Sequence, residues 1–322
     1  MKDTKLFVVV PCYNEEEVLG ETSSRLDKLF AKMVSDGLLS PESRVVFVDD
    51  GSKDKTWSII DSLCKENGIF RGIKLAHNAG HQNAVLAGLM TVKDECDCAI
   101  SIDADLQDDI NAIAEMVKKY DDGCDVVYGV RSDRKTDTFF KRTTAQGFYK
   151  FMSAMGVDVV YNHADYRLMS KASLDVLAQF EEVNLFLRGI IPLIGFKSTT
   201  VEYERDKRFA GESKYPLSKM LAFAFDGITS FSIKPIRMIT CLGFLIFLVS
   251  LIALIVFIIL KYTGFTIGGW TSTVASIWMI GGIQLLCLGV IGEYIGKIYN
   301  ETKKRPRYII SKVILNKERT DS

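Results

Sequence analysis

Asp103, Asp105 and Gln107 stand at alternate positions in Ser101-Ile102-Asp103-Ala104-Asp105-Leu106-Gln107, directly after the apolar run Cys98-Ala99-Ile100. That run reads as a buried strand, and Asp109 to Tyr120 as the helix that follows it. Two carboxylates one residue apart at the carboxyl end of a strand can share one divalent cation. Hard Mg2+ or Mn2+ takes such oxygen ligands and completes its shell with water and a diphosphate. With the chain still extended, Gln107 adds an amide oxygen on the same side. The spacing points to a metal–diphosphate site. The simpler alternative is a strand end at which Asp108 or Asp109 caps a helix.

The elements that position these residues are legible as βα units. Leu6 to Val10, Arg44 to Val48, Gly72 to Ala76 and Asp125 to Gly129 are short apolar, β-rich runs. Helical patterns stand between them: Tyr13 to about Met33, one containing Trp57, Ile60 and Leu63, and one from Asn78-Ala79-Gly80-His81-Gln82-Asn83 through Leu89. The alternation predicts a parallel, doubly wound sheet, an α/β fold. Ligands in such sheets collect outside the carboxyl ends of the strands. Tyr13-Asn14-Glu15, Asp49-Asp50-Ser52, Asn78, Asp103-Asp105-Gln107 and Arg131 all fall there, which describes one pocket. No Gly-x-Gly-x-x-Gly and no Gly-Lys-Ser/Thr is present, against a dinucleotide fold or a P-loop.

Forty basic and forty acidic residues cancel, so a global nucleic-acid footprint is not expected. Seven cysteines without Cys-x-x-Cys pairs read as reduced thiols. Leu6 to Val10 is too short for a secretory signal, which leaves the first 200 or so residues on the cytoplasmic side. Thr199 to Tyr203 reads as a strand and Asp206 to Lys214 as a charged, Gly-containing loop. Phe139 to Met155 and Leu217 to Ile233 are amphipathic, suited to a core face or a membrane surface. Ile239 to Leu260 carries no charge, and as a helix would cover roughly 33 Å, enough for a bilayer core; Trp270 to Ile291 is a second such span. Lys234 and Arg237 before the first span, and Lys297, Lys303, Lys304, Arg305 and Arg307 after the second, place both ends in the cytoplasm.

With these features assembled, Val10-Pro11-Cys12-Tyr13-Asn14-Glu15-Glu16, Val48-Asp49-Asp50-Gly51-Ser52, Asp103-Ala104-Asp105-Leu106-Gln107-Asp108 and Gly292-Glu293-Tyr294-Ile295-Gly296-Lys297 with Arg305-Pro306 resemble family 2 glycosyltransferases. The closer resemblance is to the polyprenyl-phosphate branch, bactoprenol glucosyltransferases and dolichol-phosphate-mannose synthases. It implies a GT-A (Rossmann-like) domain over 1–215, an amphipathic juxtamembrane helix over 216–233, two transmembrane helices over 234–297 and a basic cytoplasmic tail over 298–322.

The resemblance further implies that Pro11, Tyr13, Glu15, Asp50 and Asp103 line a nucleotide-sugar. Asp105 and Gln107, with Asp103, would hold Mg2+ or Mn2+. Arg131, Arg142, Arg208 and Lys214 would receive acceptor and diphosphate charge, and Asp165 matches the position proposed for a base. After Leu-Gln-Asp the family usually continues with Pro, where Asp109 stands here, and His77 stands where Arg is frequent.

The expected activity is inverting transfer of a hexose from UDP-glucose or UDP-N-acetylglucosamine to undecaprenyl or polyprenyl phosphate at the plasma membrane. A homo-oligomer and a downstream flippase or transferase are candidate partners. Alternatives are a processive polysaccharide synthase, against which the missing Gln-x-x-Arg-Trp speaks, and a non-catalytic membrane scaffold or flippase partner, against which the intact acidic set speaks. A phosphate acceptor is already ionised near pH 7, so Asp165 is expected to orient groups more than to remove a proton.

Overall fold

The computed structural model describes residues 3–131, 163–183, 186–204, 234–262 and 269–314. The chain forms two compact units. One comprises Met1–Tyr149, Val159–Tyr215 and Arg305–Ser322, the other Lys150–Asp158 and Pro216–Lys304.

The first unit is built on an eight-stranded sheet in the order β7-β5-β6-β4-β1-β2-β3-β8. Its strands are β1 (Leu6–Cys12), β2 (Arg44–Asp49), β3 (Phe70–Leu75), β4 (Cys98–Ser101), β5 (Val126–Arg131), β6 (His163–Ser170), β7 (Ser198–Tyr203) and β8 (Ile310–Ile314). Every residue of β1 is buried, as expected of a strand covered on both faces. On one face Leu6, Val8 and Val10 share a core with Leu26, Phe30, Ile113 and Met116. Those residues come from α1 (Leu19–Ser35) and α4 (Ala112–Asp121). On the other, α3 (His81–Val92) lies so close that a Cβ on Gly88 would stand 2.3 Å from Val9 Cγ1. Further helices are α2 (Thr56–Glu66), α5 (Lys171–Leu177) and α6 (Leu187–Leu193). The cysteines are free thiols, and Cys12, Cys64, Cys96, Cys98 and Cys124 are buried.

The sheet is not wholly parallel. β1 pairs in parallel with β2 and β4, β2 with β3, and β5 with β7. However, β6 runs antiparallel between β4 and β5, and β8 antiparallel to β3. β6 escapes a hydropathy reading because Asp165 and Arg167 interrupt it. Arg167 is 1% exposed and pairs with Asp165, which lets the charge lie within the sheet. The helix expected from Tyr13 begins only at Leu19. Asn14 has φ 55°, and the connection from β1 is held instead by bonds to the connection from β2. The helix expected from Asp109 begins at Ala112. The stretch expected as a basic tail contains β8: α8 (Trp270–Lys303) stops at Lys304, with φ 46°, and the chain then re-enters the first sheet.

The second unit contains α7 (Lys234–Tyr262) and α8, which cover the two charge-free runs. Phe244, Leu245, Leu285 and Leu286 are 59–72% exposed, an uncovered apolar surface of the kind that meets lipid or another apolar face. Among the described residues, Met279–Lys303 is long and apolar enough to cross a membrane. The segments Phe139–Met155, Asp206–Lys214 and Leu217–Ile233 lie outside the described residues.

Candidate active site

The connections leaving β1 and β2 are laced together. The Asn14 amide donates to Ser52 Oγ at 3.0 Å, and the Lys53 amide to Asn14 Oδ1 at 2.9 Å. The Glu15 amide donates to Thr56 Oγ1 at 2.9 Å. This fixes the chain around Pro11, which is buried in β1, and Tyr13, which is 43% exposed. Asp50 is 2% exposed and accepts from the amides of Ala79 at 2.6 Å and Gly80 at 3.0 Å. Burial pushes its carboxyl up, against those two bonds. Asp50 thereby clamps the connection from β3 to α3. Gly51, at φ +69°, allows that approach: a Cβ there would stand 2.6 Å from the Asn78 amide nitrogen.

Beyond β4 the chain does not stay extended. Leu106 has φ 55°, and the Gln107 amide donates to Asp105 Oδ1 at 3.2 Å. The alternation argument for Gln107 therefore fails, and a tight turn sets its place. Thr22 of α1 donates to the Ala104 carbonyl at 2.8 Å and braces this turn. Asp108 is 3% exposed and faces inward. It accepts from Tyr203 Oη at 2.5 Å and from Arg131 at 3.2 Å. Arg131, expected to meet a diphosphate, is thus engaged by Asp108 and Tyr203.

Because β6 is antiparallel, its first residues lie at the carboxyl edge of β4. Ser101 Oγ donates to the Asp165 carbonyl at 2.6 Å. The Asp165 carboxylate pairs with Arg167 and takes a two-nitrogen grip from Arg188, at 3.2 and 3.1 Å. Although its surroundings are desolvating, the two guanidinium groups hold its carboxyl well below the usual carboxylate range. His81, first residue of α3, has Nε2 3.7 Å from Asp165 Oδ2 and 3.5 Å from Asp103 Oδ1. Desolvation pushes the Asp103 carboxyl up to about 6, aided by Asp108, Asp165 and Asp105 and opposed by His81.

The structure thus brings Asp103, Asp165 and His81 together, with Asp105 and Gln107 on the adjoining turn. Arg142, Arg208 and Lys214 lie outside the described residues. Sequence reasoning missed Arg188, Arg167, Asp108, Tyr203 and the pairing of His81. The one available signal was the His81-Gln82-Asn83 helix start at a strand's carboxyl end. Among the described residues no three His, Cys, Asp or Glu side chains form a ready-made metal cluster. The donors present do fit a hard cation bound together with a diphosphate. They are all oxygens, and burial, with a smaller contribution from Asp108, Asp165 and Asp105, disfavours the charge on Asp103 in a way that a cation would relieve.

The glycosyl transferase family 2 model matches residues 7–177, and the GtrB C-terminal hairpin model matches 234–298. An uncharacterized glycosyltransferase YkoT of Bacillus subtilis (strain 168) is 55% identical, covering 97% of this chain and 93% of that one. A prophage bactoprenol glucosyl transferase homolog of Escherichia coli (strain K12) is 39% identical, over 96% of this chain and 99% of the relative. Glucosyl-3-phosphoglycerate synthase from Mycobacterium tuberculosis, crystallised with Mn2+, UDP and phosphoglyceric acid, superposes with a TM-score of 0.45 at 16% identity, covering 70% of this chain and 76% of that one. The chain belongs to glycosyltransferase family 2 and carries a GtrB C-terminal hairpin.

Proposed function

We propose that the protein transfers glucose from UDP-glucose to the phosphate of undecaprenyl phosphate, with inversion, at the cytoplasmic face of the plasma membrane. The observation that carries this reading is the state of Asp165. A carboxylate held by two guanidiniums and far below its ordinary pKa is a poor general base. A sugar hydroxyl needs a base to accept its proton. A phosphate monoester, with a second pKa of about 6, arrives as an anion and needs orientation and charge neutralisation. The acceptor's phosphate oxygen attacks the anomeric carbon, and the bond from that carbon to the diphosphate breaks, its electron pair leaving on UDP.

Asp103, Asp105 and Gln107 are the residues that would hold Mg2+ or Mn2+, which supplies Lewis-acid neutralisation of the leaving diphosphate. Asp50 keeps the wall formed by residues 77–80 in place for the nucleotide, beside Pro11, Tyr13 and Glu15. Arg131, anchored on Asp108 and Tyr203, presents a fixed positive charge at the end of β5. The glucosyl donor is supported by the 39% identical relative, a bactoprenol glucosyl transferase homolog. The membrane location, with two spans and both termini cytoplasmic, is supported by the hairpin match and the basic residues flanking the charge-free runs.

A donor screen on the purified full chain tests the reading. UDP-glucose, UDP-N-acetylglucosamine and GDP-mannose are each offered with undecaprenyl phosphate. Turnover with UDP-glucose that requires the lipid phosphate is expected. Donor hydrolysis indifferent to the lipid contradicts the reading.

A further inference from the structure

The segment that follows α8 makes contacts that neither a free tail nor a lipid-binding tail would need. β8 pairs with Gly72–Leu75 of β3, and the Ala76 amide donates to the Ile309 carbonyl at 2.8 Å. Ser311 Oγ donates to the Lys74 carbonyl at 3.0 Å. Lys312 Nζ lies 3.4 Å from Asp61 and 5.7 Å from the centre of the Trp57 ring. On the other side, one terminal nitrogen of Arg307 donates to the carbonyls of Phe180 at 2.9 Å and Glu182 at 3.5 Å. Phe180 lies just past α5, its amide donating to the Leu177 carbonyl at 3.1 Å, so its own carbonyl stands beyond the helix's hydrogen-bonded turns. A guanidinium is well suited to join two such oxygens.

Both grips end at the site. β3 leads to Ala79 and Gly80, whose amides hold Asp50, and then to His81. The stretch from Phe180 leads to α6, whose Arg188 holds Asp165. The two leads are themselves joined, because the Leu187 amide donates to Gln82 Oε1 at 2.8 Å. One strap therefore fastens the two chain segments that carry His81 and Arg188.

We infer that Arg307 is a positioning residue: through the carbonyls of Phe180 and Glu182 it sets Arg188 against Asp165, so the chain's return from the hairpin is a working part of the site. This rests on the transfer reading above for its effect on rate, though not for its effect on structure. Removing everything after residue 233 deletes the sheet's eighth strand as well as the hairpin.

The experiment compares Arg307→Ala, Arg307→Lys and Arg305→Ala in the full-length protein in detergent. Arg305 is exposed and carries the same charge two residues away. Three quantities are read: kcat with undecaprenyl phosphate, UDP affinity, and hydrogen exchange of peptides covering residues 178–190. Arg307→Ala is expected to lower kcat by about 10- to 100-fold, the upper end being the scale of a 1 Å misplacement. It should speed exchange in 178–190 and leave UDP affinity within about two-fold, because Asp50 and its partners are untouched. Arg307→Lys, which keeps a donor, should recover most of both losses, and Arg305→Ala should match the parent.

Equal effects of Arg305→Ala and Arg307→Ala would overturn the inference in favour of a general charge effect. Unchanged exchange in Arg307→Ala would overturn it outright, and so would loss of UDP affinity together with kcat, which marks a general fold defect. If the parent protein shows no lipid-dependent turnover, the transfer reading fails, and the exchange comparison still decides the role of Arg307.

Discussion

Arg188 grips Asp165 with two nitrogens, at 3.2 and 3.1 Å, while Arg167 holds the same carboxylate from within β6. The arrangement is a two-nitrogen carboxylate fork on a side chain that is 31% exposed, paired with one that is 16% exposed. Its charge-assisted bonds fix both partners. Substitutions on the two sides of the fork should therefore not add. Arg188→Ala and Asp165→Asn are each expected to reduce kcat/KM, and the double variant to fall short of the summed losses by about 1–2 kcal/mol. Steady-state kinetics of the four proteins measure that coupling. Strict additivity would show that the fork has no functional unity.

The depressed pKa of Asp165 makes a separate statement about stability. Its folded value lies below the ordinary Asp value of about 3.9, so the ionised form is what the fold stabilises. That contribution is complete above the unfolded pKa and is lost as pH falls through the folded one. The stability difference between the parent and Asp165→Asn should stay constant from about pH 7 to pH 5 and shrink below about pH 4. Denaturant titrations at several pH values test this. An Asp103→Asn background removes the neighbour that titrates near 6, and a difference that still changes mainly between pH 5 and 7 there would contradict a depressed Asp165.

Asp108 is buried, and Tyr203 donates to it at 2.5 Å while Arg131 also reaches it. Tyr203→Phe keeps the ring, including its edge-on contact with Tyr166 at 5.3 Å, and removes only the donor. The expected loss is about 1–3 kcal/mol, the penalty for a buried acceptor deprived of a partner. Thermal unfolding against the parent measures it, and an unchanged midpoint would mean Arg131 alone satisfies Asp108.

Gly51→Ala should disturb the nucleotide wall from a distance. A left-handed φ costs an L-residue roughly 1–2 kcal/mol, and the new methyl would meet backbone atoms of Asn78 and His77 at 2.6 and 2.7 Å. The loop must retreat, taking the amides of Ala79 and Gly80 from Asp50. UDP binding measured by calorimetry is expected to weaken more than about 10-fold, the scale of a lost charge-assisted bond. Parental affinity in a folded Gly51→Ala protein would show that Asp50 and its loop do not touch nucleotide binding.

Part of the sheet and of the acidic cluster is legible in the sequence. β1, β2 and β4 announce themselves because a strand buried on both faces is a continuous apolar run, and the acidic cluster follows where such strands end. What stayed hidden was set by long-range pairing. β6 carries Asp165 and Arg167 inside a strand, which breaks the hydropathy pattern until the ion pair is seen. β8 is five residues from beyond the hairpin, and nothing local ties Ile310–Ile314 to β3. The motif around Asp165 came into view only through the family resemblance, whereas Arg188 opens an apolar helix containing Pro192 and carries no motif. For Arg131, position at a strand's end was readable and its partner was not, since Asp108 competes for it with any bound phosphate. Gln107 was placed by assuming an extended chain, and a left-handed Leu106 turned it.

In the proposed reaction the Asp103–Asp105–Gln107 turn supports displacement of UDP by a lipid phosphate. The most direct measurement is UDP release from UDP-glucose by the full chain in detergent, with and without undecaprenyl phosphate, before and after chelation and Mg2+ or Mn2+ readdition, alongside Asp105→Asn. Release is expected to need both the lipid phosphate and the cation, and to fall at least about 100-fold in Asp105→Asn, the scale of a lost charge-stabilising group. Turnover in Asp105→Asn equal to the parent, or release that persists after chelation, would contradict it.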